Sequence, residues 1–192
     1  MVIASFGIEK EQLAEILREA RSGKAQLPDF QRGWVWDDSH VRGLLASISL
    51  AYPIGAVMML RAGGGHVRFK QRPIEGATPS SDEHADRLIL DGQQRLTSLF
   101  QSLMLGKPVA TRDDRGKEIQ RWYYIDMSKA LDLTIEREEA VVSLPADRIV
   151  RTFRNQVIAD YSTPKQEYEA MLFPLERIFD SAQWRSGFFR HW

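Results

Sequence analysis

Apolar residues at Leu96, Leu99, Phe100 and Leu103 recur at helical spacing, soon after a short apolar run from Leu88 to Leu90. Between the two stands Asp91-Gly92-Gln93-Gln94-Arg95, an acid, a glycine, two amides and a cation. The pattern predicts strand, tight turn and helix, with the helix running from Gln94 to Leu105 and Gly106 as its C-terminal cap. Upstream, Ile8, Leu13, Ile16, Leu17 and Ala20 predict an amphipathic first helix ending near Gly23. Ala25 to Pro28 reads as a short extended piece. Val41, Leu44, Leu45 and Ile48 mark a second helix, capped by Asp37 or Asp38 and ended by Tyr52-Pro53. Ile54 to Leu60 reads as a buried strand with Gly55 at its start.

The periodicity then lapses. Residues 61–85 carry Gly63 to Gly65, Pro73, Gly76, Pro79, Ser80 and Ser81, with few large apolar side chains. They predict a long connection or a small hairpin with Val67 to Lys70 as one arm. A functional lid and a variable insert without a role both fit. Further on, Arg112 to Lys117 form a charged turn and Arg121 to Met127 a strand. Ala140 to Leu144 is a strand or a loop edge, and Pro145 opens a helix carrying Ile149, Val150, Phe153 and Val157. Short helical signals surround Tyr168 to Ile178. Helix and strand signals alternate early and turn helical late. The fold class is therefore α+β, a small mixed sheet flanked by helices, with additional C-terminal helices. The expected division is a first domain over residues 1–130, with its insert at 61–85, and a mainly helical extension over 131–192.

A chain of 192 residues, 43% of them hydrophobic, is enough for one domain with a real core. The formal net charge is zero, which argues against generic, charge-driven nucleic-acid binding and leaves room for a local basic patch. No cysteine is present, so a disulfide frame, a thiolate metal site and a cysteine nucleophile are excluded. His40, His66, His84 and His191 are scattered and follow no metal-ligand spacing. No signal peptide and no apolar run of about 18 residues occurs, so a cytoplasmic protein without a membrane partner is expected. Phe188, Phe189 and Trp192 crowd the end of the chain. Either the sequence is a piece of a longer protein, or a last helix docks these aromatics on the core.

The candidate chemistry sits at the turn after Leu90. A helix N-terminus offers unpaired N–H groups and a positive dipole end, which suit phosphate. Gly92 lets the backbone approach a ligand, Arg95 can make a bidentate phosphate contact, and Asp91 can orient a ribose, a water or a divalent cation. Ordinary turn formation and capping use the same residue types. No Walker lysine motif is present, so a standard P-loop is excluded. A second dense cluster is Pro28-Asp-Phe-Gln-Arg-Gly-Trp-Val-Trp36.

Together, Pro28-x-Phe30-Gln31-Arg32-Gly33-x-Val35-Trp36, the following helix with Leu45, Ser47 and Ile48, Tyr52-Pro53-Ile54-Gly55, and Asp91-Gly92-Gln93-Gln94-Arg95-Leu96-Thr97 resemble one bacterial family. Its hallmark is an Asp-Gly-Gln-Gln-Arg sequence. It forms the N-terminal part of GmrSD-type, modification-dependent restriction enzymes and of related phage-defence proteins. The likeness covers residues 8–105 well and the rest loosely. It extends to the ParB/sulfiredoxin fold, where a turn at a helix start binds nucleotide phosphates.

The resemblance implies nucleotide binding, with nucleoside triphosphate as substrate or effector and Mg²⁺ as cofactor. Hydrolysis would control a separate His-Asn-His nuclease domain or subunit, which has no counterpart in this sequence. By position, Asp91, Gln94 and Arg95 take catalytic roles, and Gln31, Arg32, Gly92, Gln93 and Arg95 bind the nucleotide or its phosphates. Asp91 would hold Mg²⁺, Arg95 and Arg32 would reach the phosphates, and Gln93 or Gln94 would position water. For Arg32 a purely structural pairing with Asp37 or Asp38 is the alternative. Trp34 and Trp36 read as core or loop anchors, or as stacking platforms. A rival reading is a DNA-binding or DNA-nicking module, with Arg32, Arg42, Arg61, Arg68, Lys70 and Arg72 on one face beside Trp34 and Trp36. A third is a non-catalytic docking domain for a nuclease partner. DNA enters either way, directly or through the full-length protein or complex.

Overall fold

The computed structural model describes residues 7–62, 69–80 and 84–192. The first helix, α1 (Leu13–Ser22), stops at Gly23, whose φ of 85° is left-handed. Ile8 lies outside the helix and is fully exposed, so the apolar stripe begins at Leu13 rather than at Ile8. β1 (Ala25–Pro28) is buried along its whole length, as a central strand must be. With β2 (Met58–Arg61), β3 (Gln71–Arg72) and β4 (Arg87–Asp91) it forms a mixed sheet in the order β2-β4-β1-β3. Only the β1–β4 pair is parallel. Between β1 and β2 runs α2 (Asp38–Ser49), capped by Asp37, whose carboxylate accepts the His40 N–H at 2.9 Å.

The strand expected over Ile54 to Leu60 is shorter and is not buried. β2 starts at Met58, which is 57% exposed, and forms the sheet edge. The reason lies in the preceding carbonyls: Ile54 O and Ala56 O accept from the Arg95 guanidinium and are taken before a ladder can use them.

After the turn at Gly92, α3 (Gln93–Leu103) runs through the centre of the core. Nearly every side chain along it is buried, polar ones included. Such a helix has no solvent face, so its polar groups need partners inside. Ser98 Oγ accepts from Trp34 Nε1 at 2.8 Å, and Gln101 Nε2 donates to Glu75 O at 3.0 Å. Glu75 belongs to the expected insert. That segment is built into the domain where it is described: β3 pairs with β1, and Ile74 is 1% exposed within the main core. The arm expected at Val67 to Lys70 falls largely outside the described residues.

β5 (Val109–Arg112) and β6 (Glu118–Asp126) form a hairpin around the charged turn. Two short helices, α4 (Met127–Leu131) and α5 (Arg137–Ala140), lead to β7 (Val141–Pro145). β7 pairs antiparallel with β6 from Arg121 to Ile125, so strands from both sides of residue 130 make one sheet. Pro145 ends that strand and opens no helix. The stretch expected to be helical is the hairpin of β8 (Ile149–Arg151) and β9 (Val157–Asp160), and Phe153 stands fully exposed at its tip. Ile149, Val150 and Val157 are β-branched, and Asn155 takes a left-handed φ of 62° at the turn.

α6 (Pro164–Glu169) begins with a reciprocal capping box between Thr163 and Gln166. β10 (Leu172–Pro174) adds to β6, and a 3-10 turn over Leu175–Arg177 leads to α7 (Ala182–His191). α7 docks through Trp184, which stacks on Phe188 at 5.2 Å and donates through Nε1 to Glu167 at 2.8 Å. Glu167 also accepts from Tyr124 Oη at 2.9 Å, so one buried carboxylate ties α6 and α7 to β6. Burial pushes its carboxyl above the ordinary range, against the pull of those donors and Arg148. The whole is the α+β architecture expected, with a small mixed sheet, flanking helices and further C-terminal ones. Among the described residues no helix is long and apolar enough to cross a membrane.

Candidate phosphate-binding turn

β4 carries the chain to Asp91, and Gly92 turns it into α3 with a left-handed φ of 90°. A Cβ at Gly92 would lie 3.0 Å from Val57 Cγ2, so backbone angle and space both call for glycine. Because the N-cap is a glycine, no side chain caps α3. The first intrahelical bond is Leu96 N–H to Gly92 O at 2.9 Å. The N–H groups of the first turn therefore present the positive end of the helix without a capping oxygen.

The amides of the motif hold the neighbouring loop against this turn. Gln93 Nε2 donates to Arg32 O at 2.5 Å. Gln94 clasps the same loop twice, donating through Nε2 to Gly33 O at 3.1 Å and accepting the Val35 N–H through Oε1 at 2.9 Å. From the loop side, Gln31 Nε2 donates to Ile89 O and Leu90 O at 2.9 and 2.8 Å, at the end of β4. A carboxamide suits each place, because it donates and accepts without bringing a charge to be desolvated.

Arg95 organises the opposite wall. Its Nη1 donates to Ile54 O at 2.6 Å, and its Nη2 donates to Ala56 O at 3.0 Å and to Asp91 Oδ2 at 3.2 Å. Gly55 lies under the guanidinium: a Cβ there would stand 2.4 Å from Nη1. The Asp91 side chain is 69% exposed, which leaves it open to solvent and to a ligand.

Arg32 differs from the rest of the set. Gln93 fixes its carbonyl, and Arg72 Nη2 donates to the same oxygen at 3.1 Å, yet its side chain is exposed. Among the described residues it has no ion pair. Neither suggested structural partner takes it: Asp37 caps α2 and holds His40, and Asp38 accepts from Tyr123 Oη and Ser143 Oγ. The structure thus gathers Gln31, Arg32, Asp91, Gly92, Gln93, Gln94 and Arg95 around one turn, with Arg32 the uncommitted cation.

The cations grouped for a DNA-facing surface are not equally free. Arg42 donates to Val141 O and Glu138 O, Arg61 pairs with Glu9, and Arg72 pairs with Glu75. Arg68 lies outside the described residues. Trp34 and Trp36 are half-buried and packed on the core, and they also line an open groove. His40 is a helix-surface residue bonded to Asp37.

Several supports of this site were not singled out from sequence. Glu75 Oε1 accepts from Trp34 N–H and from Arg72 Nη1, both at 3.0 Å, and so braces the loop that carries Arg32. Glu75 stands among glycines and prolines with no periodicity around it, so no sequence signal points to it. Gly55 carries a signal, as the last residue of Tyr-Pro-Ile-Gly, but its partner Arg95 lies 40 positions away.

Such an arrangement defines a class: a mixed α+β domain whose uncapped interior helix starts beside a clamped, aromatic loop that carries one exposed arginine. The chain belongs to the family described as the GmrSD restriction endonuclease N-terminal domain, whose model matches residues 13–181. It is also similar to an uncharacterized protein of Methanocaldococcus jannaschii, with 28% identity over 188 residues. That match covers 95% of this chain and 31% of the relative, so the chain spans about a third of that protein's length.

Proposed function

We propose that this chain is the nucleotide-binding, regulatory domain of a modification-dependent restriction or phage-defence system. The phosphates of a nucleoside triphosphate would sit on the N-terminus of α3. One observation carries the proposal: the uncapped first turn after Gly92 faces a loop bearing an exposed Arg32, which has no ion pair among the described residues and whose backbone Gln93 holds in place. Helix-end N–H groups and a guanidinium favour the same ligand, a multiply charged phosphate. Kinship with the ParB/sulfiredoxin superfamily belongs to this reading.

The residues divide the work. Arg32 contacts the phosphates directly, and the Gln93, Gln94 and Arg95 N–H groups supply the floor. Arg95 shapes the wall and reaches a phosphate by exchanging one of its carbonyl partners. Asp91, a single exposed carboxylate, fits a Mg²⁺ ion held mainly by the nucleotide itself, as is usual for that ion. Among the described residues no cluster of three or more candidate ligands offers an all-protein cage. In hydrolysis a water oxygen bonds to the γ-phosphorus as the β–γ bridging bond breaks. Its electron pair passes to the β-phosphate and the water proton to solvent. A nuclease partner of His-Asn-His type would read out the bound state on DNA.

The test is thermal unfolding of the chain with ATP, GTP, CTP and UTP, with and without Mg²⁺, beside Arg32→Ala. A ligand that binds only the folded state stabilises it by about 2.7 kcal/mol at a hundredfold excess over Kd. At least one nucleotide is expected to raise the Tm of the parent chain and to leave Arg32→Ala unmoved. No shift with any nucleotide would contradict the proposal and favour a docking domain.

A further inference from the structure

We propose that the groove between Trp34–Trp36 and the β5–β6 hairpin is the nucleobase site, with the indole of Trp34 or Trp36 as stacking platform. The inference rests on the phosphate site proposed above and adds where the rest of the ligand goes.

The groove measures about 420 Å³, within the range of small-molecule sites. Its lining brings Trp34 and Trp36 together with Thr111 and Ile119, which pair across β5 and β6 and so share one face of the hairpin. An indole face suits a planar heterocycle. Thr111 Oγ1 already donates to Trp36 O at 2.8 Å, so this hydroxyl ties the backbone of the aromatic loop to the hairpin. Trp34 is fixed as well, by its Nε1 bond to Ser98 on α3. A site whose loop backbone and one indole are held by hydrogen bonds loses little freedom on binding.

Position links the groove to the phosphate turn. Gln94 lies in the first turn of α3, and its Oε1 accepts from Val35 N–H, in the groove wall. The same loop presents Arg32 at one end and Trp34 to Trp36 at the other. A ligand with phosphates on α3 thus has the groove as its neighbour, one side chain away. Gln94 is then the partition between phosphate and base, and it positions the loop for both.

The experiment is calorimetric titration of the chain with a nucleoside triphosphate and, separately, inorganic tripolyphosphate, which has no base. Ile119→Trp fills the groove, and Arg32→Ala strikes the phosphate site. Ile119→Trp is expected to weaken nucleotide binding about tenfold, the scale of one stacked base, and to leave tripolyphosphate binding unchanged. If Ile119→Trp does not fold, the parent chain still answers, because nucleotide should quench its tryptophan emission and tripolyphosphate should not. Full nucleotide affinity in Ile119→Trp, or equal quenching by both ligands, would overturn the groove assignment while Arg32→Ala still abolished binding. Failure of both ligands to bind the parent chain would instead remove the phosphate site, and the base site with it.

Discussion

Gln31, Gln93 and Gln94 each spend their carboxamide on a backbone group of a different segment, and this decides what the motif does first. It knits the 29–36 loop, the end of β4 and the start of α3 into one unit. Arg95 does the same for the 54–56 segment. Gly55→Ala is therefore expected to cost more than the ~1–2 kcal/mol of a left-handed non-glycine residue, because its Cβ meets Arg95 Nη1. In an Arg95→Ala background the same change should cost less, and a double-mutant cycle by urea unfolding measures the difference. Additive effects would show that the two do not touch. Asp37 gives a pH-dependent case. The His40 N–H it accepts holds its carboxyl down to about 2, below the ordinary 3.8. Its stabilisation is present above the ordinary value and is lost as pH falls through the folded one. Asp37→Ala should lower stability by about 1 kcal/mol at neutral pH, the usual worth of an N-cap. Unfolding measured from pH 5 downward should show the gap between parent and variant closing between about 4 and 2.

At the scale of elements, the sequence was most legible where one period ran long enough to be unambiguous. α1, α2, β4 and α3 stand within a few residues of their expected places, and so does the turn at Gly92. Legibility failed where tertiary partners decided. β2 lost its first residues to Arg95, and β10 is only three residues long. The stretch after Pro145 carries Ile149, Val150, Phe153 and Val157 at spacings that suit a helix, yet β-branched residues and a left-handed Asn155 make it a hairpin. Phe153 distinguishes the two directly. In a packed helix it would be a core residue; at the hairpin tip it is fully exposed. Phe153→Ser should therefore shift stability by no more than about 0.5 kcal/mol in a denaturant melt. A loss several times larger would contradict the hairpin. For the candidate site, the residues that the fold brings together were legible, and their hydrogen-bond partners were not. No pattern in the chain says that Gln31 and Gln94 face backbone while Arg32 faces solvent.

For the whole molecule, the central fact is that α3 is interior and its N-terminus is not closed by a side chain. Buried side chains of both four-stranded sheets share one core with that helix, and Gln101 ties it to the 71–77 segment, so the site is carried by an interior element. Catalytic and binding groups gain precision from such support. Family membership places the domain among restriction-enzyme N-terminal domains. What we propose is narrower: this helix end and Arg32 receive phosphate. The most direct measurement is a two-dimensional amide ¹H–¹⁵N titration of the chain with nucleoside triphosphate, with backbone assignments in hand. The expected result is that the Gly92 to Arg95 amides and those around Arg32 shift together and saturably, and do so no longer in Arg32→Ala. Saturable shifts elsewhere with these amides unmoved would contradict the claim.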